Sequence, residues 1–405
     1  MQQQYLLNRD IISNEVEYSR SVYPVHYKYI QYENIREWLV PYICFFETGN
    51  LDMMIRNVKE IIRKNDLLRS SFNKTEDGQI NLNVHKYNDD VHIPVYESSE
   101  DSIEDYFVHL SNDLKKRNIF GDALYNIAFI KHDDKKTYFL GVFNHMLSDG
   151  DFDFKNRILH GCTKDLITLD KINRYIDNIE AKNFSYFETY CKLKADIYSK
   201  YKIPSNESMM ISFSSLFFFK HRNYTVEEFW YHIVYSVLFR LFPMYDELPI
   251  CVLTNGRSFD DVVYAKDFGD FHDEIMLTQH VSSTREKRID DYREYRKNPF
   301  KNAKEYVTFL QKTSIKEKQT TDYMEPLVLL ISGQSPDSDY RIGFKKYLPR
   351  DKRHFLSIKV VCAPSLTSFK VYFLYSPEIS DQMGKFEEIM LDEIEKLTQE
   401  LDELT

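Results

Sequence analysis

At 405 residues the chain exceeds one ordinary hydrophobic core, and 43% hydrophobic against 29% charged residues marks a globular protein, not a disordered or fibrous one. A formal net charge of −10 argues against a nucleic-acid binder, which needs a basic face; the two local basic runs, Lys115-Lys116-Arg117 and Arg285-Glu286-Lys287-Arg288, read as solvated surface. With 11 glycines against 30 tyrosines and 29 phenylalanines, aromatic rings must fill much of the interior.

In chain order, Leu51, Met54, Val58, Ile61 and Ile62 recur at helical spacing and predict a helix capped by Asn50. A short strand over 67–72 and a turn at Thr75-Glu-Asp-Gly78 follow, and Ile80, Leu82 and Val84 alternate as a strand does. Ile103, Phe107, Leu110 and Leu114 define a second helix, with strands after it over 123–131 and 138–144. Over 169–182 apolar content falls and charge rises, which sets a boundary between an N-terminal lobe, 1–172, and a C-terminal lobe, 173–405. The second lobe should hold a helix over 186–201 and one opening on the capping box Thr225-Val-Glu-Glu228, with Phe229, Ile233, Val237 and Leu241 as its apolar face. A buried strand over 249–253, a polar, aromatic-spiked helical stretch over 283–313 and strands over 327–331, 355–362 and 368–375 come next. A terminal amphipathic helix carries Phe386, Ile389, Met390, Ile394, Leu397 and Leu401. Each half therefore reads as helices on a sheet of mostly consecutive strands: an α/β class, layered as α+β, in two like-folded lobes.

Five dispersed cysteines without metal spacing fit reduced thiols. No basic-then-apolar leader follows Met1, and no apolar run reaches the ~20 residues of a membrane span; the longest, near 209–219, is broken by serines. The expectation is a cytoplasmic protein with no membrane or nucleic-acid partner.

The chemistry concentrates in Phe139-Leu-Gly-Val-Phe-Asn-His145-Met-Leu-Ser-Asp149-Gly150, where an apolar strand runs into a polar cluster. Strand ends present functional groups on a rigid support, and His145 there is a candidate general base, since its unperturbed pKa lies near neutrality. Asp149, beyond a sharp bend, is suited to pinning the loop by a salt bridge, and Gly150 lets the backbone turn or approach a ligand. On these residues alone, a strand ending in a plain turn is the alternative. Asp151 and Asp153 either draw an amine electrostatically or are helix N-terminal acids favoured by the dipole. No Gly-x-Ser-x-Gly elbow and no phosphate loop is present. His160-Gly-Cys162 lacks a third and fourth ligand nearby, so no metal is expected. Arg257, after Asn255-Gly256, reads as a structural tie or a phosphate contact.

This segment resembles the His-His-x-x-x-Asp-Gly core of nonribosomal peptide synthetase condensation domains and chloramphenicol acetyltransferases. Other landmarks fall in the family's order. Asn65-Asp-Leu-Leu-Arg69-Ser-Ser-Phe72 is similar to its His-Glu-x-Leu-Arg-Thr-x-Phe, Leu248-Pro-Ile-Cys-Val-Leu-Thr-Asn-Gly-Arg257 to its strand ending in Gly-Arg, and Phe268-Gly-Asp-Phe271 to its Gly-x-Phe. Ile331-Ser-Gly-Gln334 stands where the family has an Asn-Tyr-x-Gly turn. The resemblance implies a V-shaped pseudodimer of two chloramphenicol-acetyltransferase-like lobes with a central tunnel. It further implies a stand-alone acyltransferase forming an amide between a carrier-bound acyl or aminoacyl thioester and an amine. Carrier proteins acting in trans would present the donor on phosphopantetheine arms (or coenzyme A would carry it), with no permanently bound cofactor. An ester-forming transfer to an alcohol and a catalytically silent docking domain are the alternatives. Carried over residue by residue, His145 and Gly150 are catalytic, Gly150 through its backbone N–H at the oxyanion. Asp149 paired with Arg69, and Asn144 in place of the family's first histidine, support the site. Ser148 and Asp151 are candidate substrate contacts. Asn65 and Asp66, replacing the family's His-Glu, read as surface drift.

Overall fold

The computed structural model describes residues 11–22, 26, 30, 38–47, 50–76, 79–97, 103–132, 136–148, 152–161, 169–180, 185–201, 207–214, 224–255, 258–259, 262–263, 272–312, 326–333, 355–362 and 368–403. They fall into two compact units, one built on Met1–Asn178, the other on Ile179–Gly256, His272–Pro336 and Arg350–Thr405.

The first unit runs β1 (Val16–Ser21), β2 (Leu39–Phe46), α1 (Leu51–Lys64), a 3-10 turn (Asp66–Arg69), β3 (Ser70–Lys74), β4 (Ile80–His85), β5 (Val95–Glu97), α2 (Ile103–Lys116), β6 (Tyr125–Lys131), β7 (Thr137–Asn144), α3 (Phe154–His160) and α4 (Leu169–Asn178). Asn50 accepts the amide of Met53 at 3.1 Å, as its side-chain type predicts, and Met54, Val58, Ile61 and Ile62 form the buried face of α1. The strand expected over 67–72 starts instead at Ser70. Asn65 caps the amide of Leu68 at 3.3 Å and winds 66–69 into the 3-10 turn first.

Two sheets result, ordered β1-β4-β3 and β2-β7-β6-β5, with only β5 and β6 parallel in the second. β2 is an edge strand, where Pro41 is tolerated because no second neighbour asks for its missing N–H. In β7, Leu140 and Val142 join the α2 side chains Phe107, Leu110 and Leu114, while Phe139 and Phe143, on the other face, pack in an aromatic layer. Burial on both faces explains the unbroken apolar run in that strand.

Of the basic run at the end of α2, Lys116 is exposed as expected, but Arg117 is not surface. Arg117 is only 6% exposed and donates to Asp113 (3.0 Å from Nε) and to the carbonyls of Ala123 (2.7 Å) and Tyr125 (3.1 Å), as well as to Asn126 Oδ1. It ties the end of α2 to the start of β6, an arrangement that charge counting cannot reveal.

The second unit contains α5 (Ser185–Lys200), β8 (Glu207–Ser214), α6 (Val226–Leu241) and β9 (Glu247–Asn255). The short ribbon β10 (Ser258–Phe259) and β11 (Val262–Val263), which groups with the first unit, interrupts it. It continues with β12 (His272–His280), α7 (Arg285–Arg296), α8 (Lys301–Lys312), β13 (Leu327–Gly333), β14 (Leu356–Cys362), β15 (Ser368–Tyr375), α9 (Ser380–Met383) and α10 (Phe386–Glu403). The sheet order is β12-β9-β13-β14-β15-β8. Among this sheet's own strands in chain order, the pairs β9–β12, β13–β14 and β14–β15 are consecutive, as expected, whereas β9–β13 and β15–β8 are not. The apolar stretch near 209 supplies the edge strand β8, antiparallel to β15.

Both halves of the Thr225–Glu228 capping box form, at 3.2 and 2.9 Å. α6 is buried almost all round rather than on one face, with Trp230, Tyr231, Val234, Tyr235 and Leu238 enclosed alongside the expected residues. The second basic run is likewise half interior: Arg288 is buried and donates to Ser236 Oγ (3.1 Å) and the Val281 carbonyl (3.2 Å).

One consequence is a pH dependence. Burial, reinforced by Arg288 and Arg285 and opposed by Glu286, pushes the His232 imidazole down from 6.5 to about 4. Burial acts in the same direction on His85, with Arg69 adding to it and a backbone bond to Ser13 opposing. Between the two His232 values the unfolded chain binds a proton that the folded chain refuses. Stability is therefore expected to be full above about pH 6.5 and to fall toward pH 4, by up to ~3 kcal/mol from His232 alone. Urea melts across that range measure it, and His232→Phe should flatten most of the slope.

Candidate active site

His145 follows directly on the last residue of β7, and the backbone holds it from both sides. Its N–H donates to the Trp38 carbonyl at 2.7 Å, extending the β2–β7 pairing by one bond beyond Leu39–Asn144. Asn144 donates to the Leu124 carbonyl (2.8 Å), and its side-chain oxygen accepts the Met146 amide (3.0 Å), an Asx turn. The Leu147 amide reaches the Asn144 carbonyl (2.9 Å) and the Ser148 amide the His145 carbonyl (3.2 Å), completing one tight turn. Met146 and Leu147 point into the core and pin that turn, whereas His145 stays partly exposed with the Trp38 ring edge-on at 6.2 Å. The residue is partly exposed although its Nδ1 is buried, and an imidazole fixed at a sheet end meets the positional requirement for a general base.

An aromatic layer backs this turn. Tyr125 stacks on Phe143 (5.4 Å), Phe143 on Phe154 (5.4 Å), and Tyr42 meets Phe143 and Phe154 edge-on at 5.3 and 4.8 Å. Gly141 makes room for it: a Cβ there would lie 2.6 Å from the Phe143 ring and 3.3 Å from that of Phe139. Both rings are wedged among neighbours, so Gly141→Ala is expected to cost about 1–3 kcal/mol by overpacking. A shifted urea midpoint at unchanged slope would show it.

The sequence-predicted residues fare differently. His145 and Asn144 come together as described, with Asn144 building the turn that presents the imidazole. Ser148, expected to contact substrate, is completely buried and bonded to Tyr42 Oη at 2.6 Å, so its hydroxyl serves the turn. Asp149, Gly150 and Asp151 lie outside the described residues, as do Arg257 and Cys162. Asp153 takes the helix-terminal reading: it caps α3 through the Asn156 amide at 3.2 Å.

Arg69, whose expected partner Asp149 lies outside the described residues, is buried in a polar hub. It donates to Asp66 (2.7 Å), Glu17 (2.9 Å) and the His85 carbonyl (2.6 Å), and Tyr18 donates to Asp66 at 2.6 Å. Burial, with Asp66 beside it, pushes the Tyr18 phenol up. Asp66 and Glu17 lie beside the guanidinium as carboxylate partners. Asn65 and Asp66 are therefore not surface drift: the first is a buried cap, the second an anchor for Arg69. Trp38 and Tyr42, by contrast, carried no signal in sequence, because their partners in the turn lie about a hundred residues downstream.

No protein-family model matches the sequence, nor does any curated protein. Solved structures do match. The epimerization domain from the third module of tyrocidine synthetase B aligns at a TM-score of 0.65 and 12% identity, over 96% of this chain and 98% of that one. The condensation domain of the Monacolin K polyketide synthase MokA aligns at 0.64 and 10%, over 95% and 98%. The starter condensation domain of rhizomide synthetase RzmA gives 0.61 and 10%, over 93% and 97%. The chain thus has the fold of condensation and epimerization domains, along nearly its whole length. Among the described residues no helix is long and apolar enough to cross a membrane.

Proposed function

We propose that the chain is a condensation-type acyltransferase that forms an amide between a thioester-bound acyl or aminoacyl group and a small amine. The observation that carries this reading is His145: partly exposed at the end of β7, its backbone locked to Trp38 and its turn pinned by two buried residues. In the reaction the amine nitrogen attacks the thioester carbonyl and His145 takes a proton from it. The attack forms the C–N bond; the tetrahedral intermediate then collapses, restoring the carbonyl and breaking the C–S bond, and the thiol leaves with that proton. Gly150 is proposed as an oxyanion donor through its N–H, with Asp149 and Asp151 as loop support and substrate contact. The donor would arrive on the phosphopantetheine arm of a carrier protein acting in trans, or on coenzyme A.

Aminolysis of a thioester runs downhill and needs no covalent enzyme intermediate. Holding both partners together contributes up to about 7–11 kcal/mol in the best intramolecular cases, and a positioned base adds roughly 10²–10⁴-fold. Positioning is therefore the larger contribution. The test incubates the protein with acyl-loaded carrier protein and panels of amines and alcohols, with product read by mass spectrometry. Amide formation supports the reading; ester formation in preference redirects it to an O-acyltransferase; no product from any pair leaves a silent docking domain.

A further inference from the structure

We propose that Tyr42 is a positioning residue for His145, acting through its hydroxyl on the turn that carries the imidazole. The inference rests on the acyl-transfer reading above.

Tyr42 sits mid-strand in β2, opposite Gly141 of β7, and is 1% exposed. Its ring is fixed by Phe143 and Phe154, in a layer that also holds Phe139, Phe152 and Tyr125. Packing alone would be served as well by phenylalanine, so the hydroxyl is the informative part. It lies 2.6 Å from Ser148 Oγ and 3.3 Å from the Phe152 amide nitrogen. The Phe152 N–H must donate to the phenol oxygen. The phenol and the Ser148 hydroxyl share one further bond, in which either oxygen can donate. Ser148 in turn donates its amide to the His145 carbonyl at 3.2 Å. A short chain of bonds thus runs from Tyr42 through Ser148 to the backbone of His145. Four residues earlier, immediately before β2, Trp38 accepts the His145 N–H through its carbonyl. The segment 38–42 therefore holds the imidazole's turn at its entry through a carbonyl and at its exit through a phenol. Because a general base loses effectiveness with small misplacements, loosening the exit should lower turnover without weakening substrate binding.

Tyr42→Phe keeps the ring and removes the bond. The expected result is a kcat lower by about tenfold, with the acceptor KM within twofold of wild type. Ser148→Ala should give the same drop, and the double variant no more than either single one, because both break one chain. Hydrogen exchange supplies a readout independent of activity. The Phe152 amide should exchange at least ~10-fold faster in Tyr42→Phe, while amides within β7 keep their protection. An unchanged kcat in folded Tyr42→Phe, additive effects in the double variant, or unaltered Phe152 exchange would each overturn the proposal. If Tyr42→Phe does not fold, Ser148→Ala carries the kinetic test. If the wild-type protein makes no product with any acceptor, the acyl-transfer reading fails by itself, and Phe152 exchange still decides whether Tyr42 holds the turn.

Discussion

His145→Ala is expected to cut acyl-transfer turnover by roughly 10²–10⁴-fold, the usual contribution of a positioned base, while the protein unfolds near its wild-type midpoint. The two halves of that statement follow from the same geometry. The bonds that fix position 145 are made by its backbone, to the Trp38 carbonyl and from the Ser148 amide, and alanine keeps both. The pinning contacts belong to Met146 and Leu147, not to the imidazole. What disappears is the ring, partly exposed and edge-on to Trp38. Some turnover should survive, since bringing amine and thioester together does not depend on the base. Single-turnover measurement with acyl-loaded carrier, alongside a urea melt, checks both halves. A variant as active as wild type removes His145 from the chemistry.

The largest expected effect on stability lies elsewhere, at Arg117. Its side chain is 5% exposed and that of Asp113 is 7% exposed, so the ion pair is fully enclosed. Arg117→Ala would leave Asp113 as an uncompensated buried carboxylate and take the donor from the carbonyls of Ala123 and Tyr125 and from Asn126. Breaking one side of such a pair costs about 3–5 kcal/mol, against a total stability of about 5–15 kcal/mol for a typical domain. Denaturant unfolding should show the first unit melting far earlier. Replacing both members by apolar residues of similar volume, Asp113→Leu with Arg117→Met, should recover much of the loss, because no lone charge then remains inside.

Local features were legible in the sequence and long-range ones were not. Asn50 and Thr225 cap their helices as their side-chain chemistry dictates, since a cap is satisfied within three residues. The terminal helix and the strands of the late sheet followed from periodicity. The strand β12, with His272, Asp273, Glu274 and Gln279 among its apolar residues, gave no clean alternation. The run that became β2 carried a proline that disguised an edge strand. Charge was the least reliable guide. Arg117 and Arg288 read as solvated because their neighbours are, yet both point inward. Arg69 pairs with Asp66, three residues before it, a local contact that reading Asp66 as surface drift overlooked. His145 stood out through the order of landmarks around it, since on its own residues a strand ending in a plain turn was the alternative. Tyr42 did not, because nothing near it in sequence names the serine it bonds.

That bond has a bearing on how the molecule is made. Tyr42 and Ser148 are 106 residues apart, so at roughly 5–20 residues per second of synthesis the strand β2 waits about 5–20 s on the ribosome before its partner β7 exists. During that interval an apolar ribbon stands without a mate beside every other nascent chain. Pro41, in the middle of it, lacks the N–H a foreign strand would need and acts as a guard against premature association. The turn that carries His145 thus forms only after β7 has emerged, and a polypeptide halted before that holds no rudiment of it.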